Sequence, residues 1–591
     1  MFILGISCYY HDAGACILHD GIVESAAEQE RFTRIKHDHR FPDAAIKFCL
    51  EHSNISVNDL DYVVFYEKPG IKINRILKTI YKHFPRSKDI FKEVFINWGK
   101  QKNWISKTIQ SRLGIPKNKI LFSEHHLSHA ASSYYCSPYN DAAILTVDGV
   151  GEWVTTSMIS AKGTNFLRHE EINFPHSIGL LYSTFTEFLG FEVNEGEFKV
   201  MGLAPYGVPK FKDKVYQHFL SITPDSFELD MDYFAYEWSL TTNMTRKFID
   251  YWGTPRPKEE PFIISKYSNQ LNISNNGISQ RVVDKNQYYA DVAASVQEVI
   301  EEVMLKFVNT LYNKTKTNNL CISGGVGYNS VANGRIIRDS KFDNVYILPA
   351  AGDSGASVGA SLALYHSMHD RPVPQIVSSS YLGKNFSDNE IRQVLEKKNI
   401  TYDWIEDEYE LFKRIAYCLS KGKVIGWFQG RFEFGPRALG HRSILADPRN
   451  ISMKHKVNSK IKFRESFRPF APVCIYDHVN DYFEMNEDII NLYPFQFMLA
   501  VAKVKPEYTN LLQAVTHVDN SARLQIVKSD TNNKLYKLIK YFGDITGIYC
   551  LLNTSFNRRG EVIVNSPQDA LITFEWSGID ILVMGNAIIQ K

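Results

Sequence analysis

The chain has 591 residues, 44% hydrophobic and 22% charged, with a formal net charge of +2. That length exceeds one ordinary core and predicts two large domains or three smaller ones. The balanced charge lacks the basic excess of a nucleic-acid binder, and no apolar stretch approaches the roughly 18 residues needed to cross a membrane.

The opening MFILGISCYYHDAG lacks the basic region and apolar run of a secretory leader, so none is expected. The eight cysteines are scattered without a CxxC pair, as in a cytoplasmic protein with reduced thiols. FILGIS, CYYHDAG and ACILHDG read as strand, tight turn and strand, with Asp12 and Gly14 in the turn. The unit recurs at 143–159, where AILTV, DGVGE and WVTTSMI put Asp148 and two glycines in the turn. Two such units predict a duplicated α/β core. Between them lies SEHHLSHAASSYY, in which His125 and His129 share one helical face.

Residues 208–285 are tyrosine-rich and irregular, and are read as an insertion. From 287 to 313, Val292, Val296, Val299, Val303 and Phe307 recur at helical steps. NLCISGGVGYNS then predicts a buried strand, a turn at Gly324-Gly325 and a helix from about Asn329. In GDSGASVGAS, Asp353 precedes small residues at helical spacing, which let a helix approach another backbone closely. The prolines and serines of 366–380 mark a linker, dividing the chain into domains 1–365 and 381–591. The second half is dense in Gly and Arg after buried strands and reads as α/β with a mixed sheet.

Glycine turns after strands present backbone N–H groups to phosphates, and four in order suit a nucleotide or acyl-phosphate cleft. His125, His129, Asp148 and Asp353 suit a divalent ion such as iron, manganese or zinc. No Glu follows His125, so a zincin-type protease is disfavoured; His126 points elsewhere on the helix. In the second half, Arg437, Lys462, Arg464, Arg468 and Arg523 alternate with apolar or glycine-rich residues. Arginine grips phosphate through two N–H groups, so this pattern predicts phosphate or nucleotide binding.

Eleven segments, in order and across nearly the whole chain, resemble the NodU/CmcH-type O-carbamoyltransferases. They include EQERFTRIKH, HHLSHAASSYY, TVDGVGEW, GEFKVMGLAPYG, SGGVGYNS, GPRALGHRSILADPR, HVDNSARLQ and LNTSFNRRGEVIV. The resemblance implies an α/β, two-domain protein. Its N-terminal domain would be TsaD-like, of the actin/sugar-kinase ATPase superfamily, and its C-terminal domain YrdC-like. In the second domain, carbamoyl phosphate and ATP, with Mg2+, would give carbamoyl-adenylate. In the first, the carbamoyl group would pass to a hydroxyl of a small-molecule, natural-product or sugar-like acceptor. By motif, Arg437, Lys462, Arg468, Arg523 and Asn553 would bind carbamoyl phosphate and nucleotide phosphates, with Arg437 and Lys462 also catalytic. Gly324, Gly325, Asn329 and Asp353 would contact adenosine and phosphate. His125, His129, Asp148 and Asp353 would hold a metal, Fe(II) by resemblance. His11 and Asp12 would sit near the acceptor hydroxyl, with His11 its general base or orienting group; Glu197 and Lys199 are lesser cleft-lining candidates. Neither nucleic acid nor membrane is an expected partner, and a homodimer is left open. Two alternatives stay open: a fused tRNA threonylcarbamoyl-adenosine-type enzyme, and a non-catalytic, chaperone-like ATPase.

Overall fold

The computed structural model describes residues 1–591 except 95, 97–104, 224, 259, 265–278 and 370–375. Part of the insertion and residues 370–375 of the linker therefore lie outside the described residues. Two compact units emerge. The first holds the described residues of 1–29, 39–264 and 277–376; the second holds 30–38 and those of 377–591. A short early piece of the chain thus belongs with its C-terminal part.

In the first unit, β1 (Phe2–Ser7), β2 (Gly14–His19), β3 (Ile22–Glu28), β4 (Tyr62–Phe65) and β5 (Ile120–Phe122) form a sheet of order β3-β2-β1-β4-β5. β1 pairs antiparallel with β2 and parallel with β4. A second sheet repeats the plan with β6 (Asp141–Val147), β7 (Val154–Lys162) and β8 (Asn165–Asn173). After a hairpin of β9 (Leu220–Ile222) and β10 (Phe227–Leu229), β11 (Asn319–Ser323) and β12 (Asn344–Ile347) complete it. Its order is β12-β11-β6-β7-β8, with β6 antiparallel to β7 and parallel to β11. Order and directions match strand for strand, so the duplication predicted from the two turns is present in the topology.

The predicted helix around 287–313 is longer, Gln280–Thr315, and its Val292, Val296, Val299, Val303 and Phe307 are buried. That apolar face anchors a span of about 54 Å at 1.5 Å per residue. The helix Asp353–Ser367 is buried along most of its length by small residues. A Cβ on Gly359 would stand 1.7 Å from the Ser128 carbonyl oxygen, and one on Gly5 in β1 would stand 2.0 Å from that of Ser357. Glycine therefore sets how closely this helix approaches β1 and the helix His125–Tyr134.

The second unit is built on a mixed eight-stranded sheet, as its sequence predicts. Its strands are β13 (Asp403–Trp404), β14 (Ile425–Phe428), β15 (Arg442–Ala446), β16 (Ala471–Ile475), β19 (Gln525–Val527), β20 (Cys550–Ser555), β21 (Ile581–Met584) and β22 (Ala587–Gln590). The order is β13-β22-β21-β14-β15-β20-β16-β19, with β14/β21 and β16/β19 parallel. A separate pair is formed by β17 (Val501–Lys503) and β18 (Ser521–Arg523). Helices Glu408–Ser420 and Asn533–Thr546 place Leu411, Ile415, Leu535 and Phe542 in a core with Trp427 and Val583. Both units are thus α/β. All eight cysteines are unpaired, and seven are buried.

Candidate functional site

In the first unit, four predicted residues from three chain segments converge. His125 and His129 project from one face of the helix His125–Tyr134. Asp148 leaves the end of β6, and Asp353 opens the helix Asp353–Ser367. Nε2 of His125 lies 3.1 Å from Nε2 of His129 and 2.9 Å from Asp148 Oδ2. Nε2 of His129 lies 3.3 Å from the same oxygen and 3.5 Å from Asp353 Oδ1. One ligand atom from each residue falls within 4.8 Å of all the others. Two imidazole nitrogens and two carboxylate oxygens aimed at one point are a donor set for a divalent cation. Without a cation the same attraction falls on protons. Burial works against a charged His129, but its bonds to Asp148 and Asp353 outweigh it and raise its pKa to about 9. Burial also opposes ionised Asp148, yet both histidines hold it well below the carboxylate range.

The surroundings prepare this set. Asp148 Oδ1 accepts the N–H groups of Gly149, at 2.8 Å, and Gly325, at 3.2 Å, leaving Oδ2 for the histidines. Tyr66 donates to the second oxygen of Asp353. Glu152 accepts the backbone N–H groups of His125 and Lys68. A Cβ on Gly151 would come within 2.9 Å of the His125 ring, so only glycine fits against that imidazole. Tyr66 has no motif of its own, and Gly151 and Glu152 stand in the DGVGE turn, where tertiary packing alone reveals what they do. His126 turns away and bonds Thr146 Oγ1 at 2.6 Å.

Gly324 has φ +92°, and a Cβ there would overlap the Val147 carbonyl, so the turn after β11 requires glycine. The N–H of Gly325 is taken by Asp148. Asn329 caps the helix Ser330–Asp339 through Ala332 N–H and pairs with Gln297. His11 Nδ1 lies 2.9 Å from Asp12 Oδ2, and its Nε2 lies 3.1 Å from the Asn194 carbonyl. Burial would lower its pKa; the bond and charge of Asp12, with the charge of Asp353, win and raise it to about 9. His11 is thus held as a cation near neutral pH, which suits orienting a hydroxyl better than deprotonating it. Glu197 accepts from Asn194 N–H and Ser183 and so braces the loop that His11 touches. Lys199 lies over the Phe191 ring.

The second unit gathers the predicted cations. The loop carrying Arg437 is wrapped around Glu433, whose Oε1 accepts the N–H groups of Leu439, His441 and Arg442 at 2.8–3.2 Å. Asn553 on β20 and Gln525 on β19 hold its Ala438 and Leu439 carbonyls. Gly435 and Gly440 supply the positive φ angles. Lys462 donates to Ser555 and Asn557, fastening the LNTSFN loop. Arg464 is held by Asn458 and the Pro469 carbonyl. Burial, then Arg464 and Arg468, push Lys462 well below the usual lysine range. Burial, then Arg437 and Arg468, do the same to Arg523. The sequence pattern passed over two members: Lys454, lowered to about 8 by burial and Arg464, and His517, lowered to about 4 chiefly by burial. Cations that depress one another in a buried place are arranged for an anion.

The first unit thus holds a buried donor set suited to a cation, and the second a buried cluster of cations suited to an anion. Residues 2–362 match the family described as Carbamoyltransferase N-terminus and residues 416–591 that described as Carbamoyltransferase C-terminus. The chain is 44% identical to the Synechocystis sp. protein sll1178, over 100% of this chain and 96% of that one. It is 32% identical to the nodulation protein NolNO of Sinorhizobium fredii, over 99% and 79%. The 3'-hydroxymethylcephem-O-carbamoyltransferase of Amycolatopsis lactamdurans is 34% identical over 46% of this chain and 49% of its own length. The chain belongs to the NodU/CmcH-type carbamoyltransferase family and is a transferase. Among the described residues, no helix is long and apolar enough to cross a membrane.

Proposed function

We propose that the protein is an ATP-dependent O-carbamoyltransferase that works in two steps. In the second unit, carbamoyl phosphate and water give carbamate and phosphate. A carbamate oxygen then attacks the α-phosphorus of ATP, and pyrophosphate leaves. In the first unit, a hydroxyl of a small acceptor attacks the carbamoyl carbon, the bond to the AMP phosphate oxygen breaks, and AMP leaves with the hydroxyl proton passing to its phosphate. The second unit is read as YrdC-like. The first is read as a TsaD-like member of the actin/sugar-kinase ATPase superfamily, which its duplicated sheets support.

The cation cluster carries this reading. An acyl phosphate and a triphosphate bring several negative charges together, and fixed cations stabilise the charge that develops on transfer. Arg437, Arg468 and Arg523 receive phosphate oxygens. Lys462 and Asn553 hold the two loops in register and add charge and polarity. In the first unit His125, His129, Asp148 and Asp353 hold a divalent ion, Fe(II) by family resemblance, which supplies Lewis acidity and orientation when bound. His11, kept cationic by Asp12, orients the acceptor hydroxyl. Mg2+ accompanies ATP.

The test is pyrophosphate release from ATP. Carbamoyl phosphate is expected to stimulate it, and Arg523→Ala to cut it about a hundredfold or more. His125→Ala is expected to leave it intact while abolishing transfer. Turnover of ATP that ignores carbamoyl phosphate would favour a chaperone-like ATPase. Stimulation by threonine plus bicarbonate would favour a threonylcarbamoyl-adenosine enzyme.

A further inference from the structure

The helix Pro69–His83 buries two cations, Lys72 and Arg75, in the first unit. Lys72 is neutralised by Glu67 at 2.6 Å, both side chains being buried. Arg75 is only 7% exposed, and among the described residues its Nε is buried without a hydrogen-bond partner. The guanidinium lies over the face of the Phe174 ring, 4.8 Å from its centroid. The carboxylates acting on it are Glu67 and Glu152. Both are occupied, Glu67 by Lys72 and Glu152 by backbone N–H groups.

A buried guanidinium nitrogen without a partner is unfavourable, and a bound acceptor group would relieve it. Its surroundings locate the missing group. Tyr10, the residue before His11, lies under Lys72 at 5.0 Å and feels the charges of Arg75, Asp148 and Asp353. Its hydroxyl lies 3.7 Å from where a Gly149 Cβ would stand, beside Asp148. Tyr10 still leaves 37% of its surface open to water, so this side of the His/Asp set is accessible. Arg75 follows β4 of the first sheet, whose β1 leads into the His11 turn, while Phe174 and Glu152 near it belong to the half built on the second sheet.

We propose that Arg75 is the receptor for an oxyanion on the acceptor: a carboxylate, sulfate or phosphate. The proposal rests on the two-step reading and adds to it a class of acceptor, a hydroxyl compound that is also an anion. A planar guanidinium offers such a group two parallel N–H donors, and the Phe174 ring holds the plane in place. The acceptor is then fixed at two points, its anion on Arg75 and its hydroxyl by His11.

The full chain is titrated with sodium sulfate in an Arg523→Ala background, which weakens the response of the other unit. Sulfate is expected to raise the melting midpoint of this protein, and Arg75→Met to remove that rise. Arg75→Lys, which keeps the charge, retains part of it. A rise that Arg75→Met leaves unchanged overturns the proposal; should that variant not fold, Arg75→Gln is read in the same way. AMP affinity, measured by calorimetry, separates the two sources of an oxyanion. It is expected to be unchanged in Arg75→Met, and a tenfold loss would assign the anion to the nucleotide and overturn the acceptor assignment. Carbamoyl-phosphate-dependent pyrophosphate release is expected to persist in Arg75→Met. Its absence from the wild type would defeat the two-step reading and leave the sulfate result standing.

Discussion

Asp148 divides its two oxygens between two tasks. One collects the N–H groups of two glycine turns, and the other faces two imidazoles. Replacing either histidine breaks the second task without touching the first. His125→Ala is expected to fold and to lose its bound metal, measured by elemental analysis, whereas His126→Ala keeps it; unchanged metal in His125→Ala would remove that residue from the set. The cation cluster allows a pH test. Lys454 is held at about 8 in the fold against 10.5 ordinarily. The unfolded chain therefore binds that proton more tightly, and the penalty on the fold is complete below about pH 8. It fades as pH rises from about 8 to 10.5, so this residue makes stability increase over that window. Lys454→Met is expected to flatten that part of the stability–pH curve, followed by denaturant midpoints. At this scale the sequence was informative where chemistry demands a residue type, as at His125, Asp148 and Arg523. It was silent on Tyr66, and it gave Gly151 and Glu152 as part of a turn motif without what folding sets beside them.

The helix Asp353–Ser367 joins packing to chemistry. Its first residue is one of the four converging His and Asp side chains, and its glycines let it touch the helix that carries two others. Gly359→Ala would drive a methyl into the Ser128 carbonyl, one residue before His129. The expected cost is about 1–3 kcal/mol of stability, read by denaturant titration, with reduced metal content. Stability and metal content equal to wild type would show that the helices have room to part. The spacing of small residues predicted this close approach. It did not predict the partner, because Ser128 and Gly359 are far apart in sequence and only the sheet order brings them together. Likewise the Arg437 loop was legible as constrained, but its organiser Glu433 has no signature: a buried carboxylate serving three backbone N–H groups looks like any other Glu.

At the scale of the molecule, residues 30–38 work in the unit formed mainly by 377–591. Arg31 donates to the Gly435 carbonyl, next to the Arg437 loop, at 2.7 Å. Arg34 donates to the carbonyls of Val562 and Ile563 at 2.7 and 2.6 Å. A fragment of residues 377–591 alone would leave those carbonyls unserved. It is expected to melt below the same fragment fused to 30–38, as measured by calorimetry of the two fragments. Equal midpoints would show the segment to be dispensable there. The sequence offered EQERFTRIKH as a family segment, yet placed it in the N-terminal domain by proximity along the chain. Backbone adjacency is a strong prior, and a nine-residue excursion leaves no mark in hydrophobic periodicity.

The same excursion sets an order in time. Arg31 is made 404 residues ahead of the Gly435 carbonyl, and Arg34 is made 528 and 529 residues ahead of those of Val562 and Ile563. Closing so long a loop is entropically costly and comes late. The second unit is therefore complete only after residue 563 has been made, and a chain halted before that point lacks these bonds.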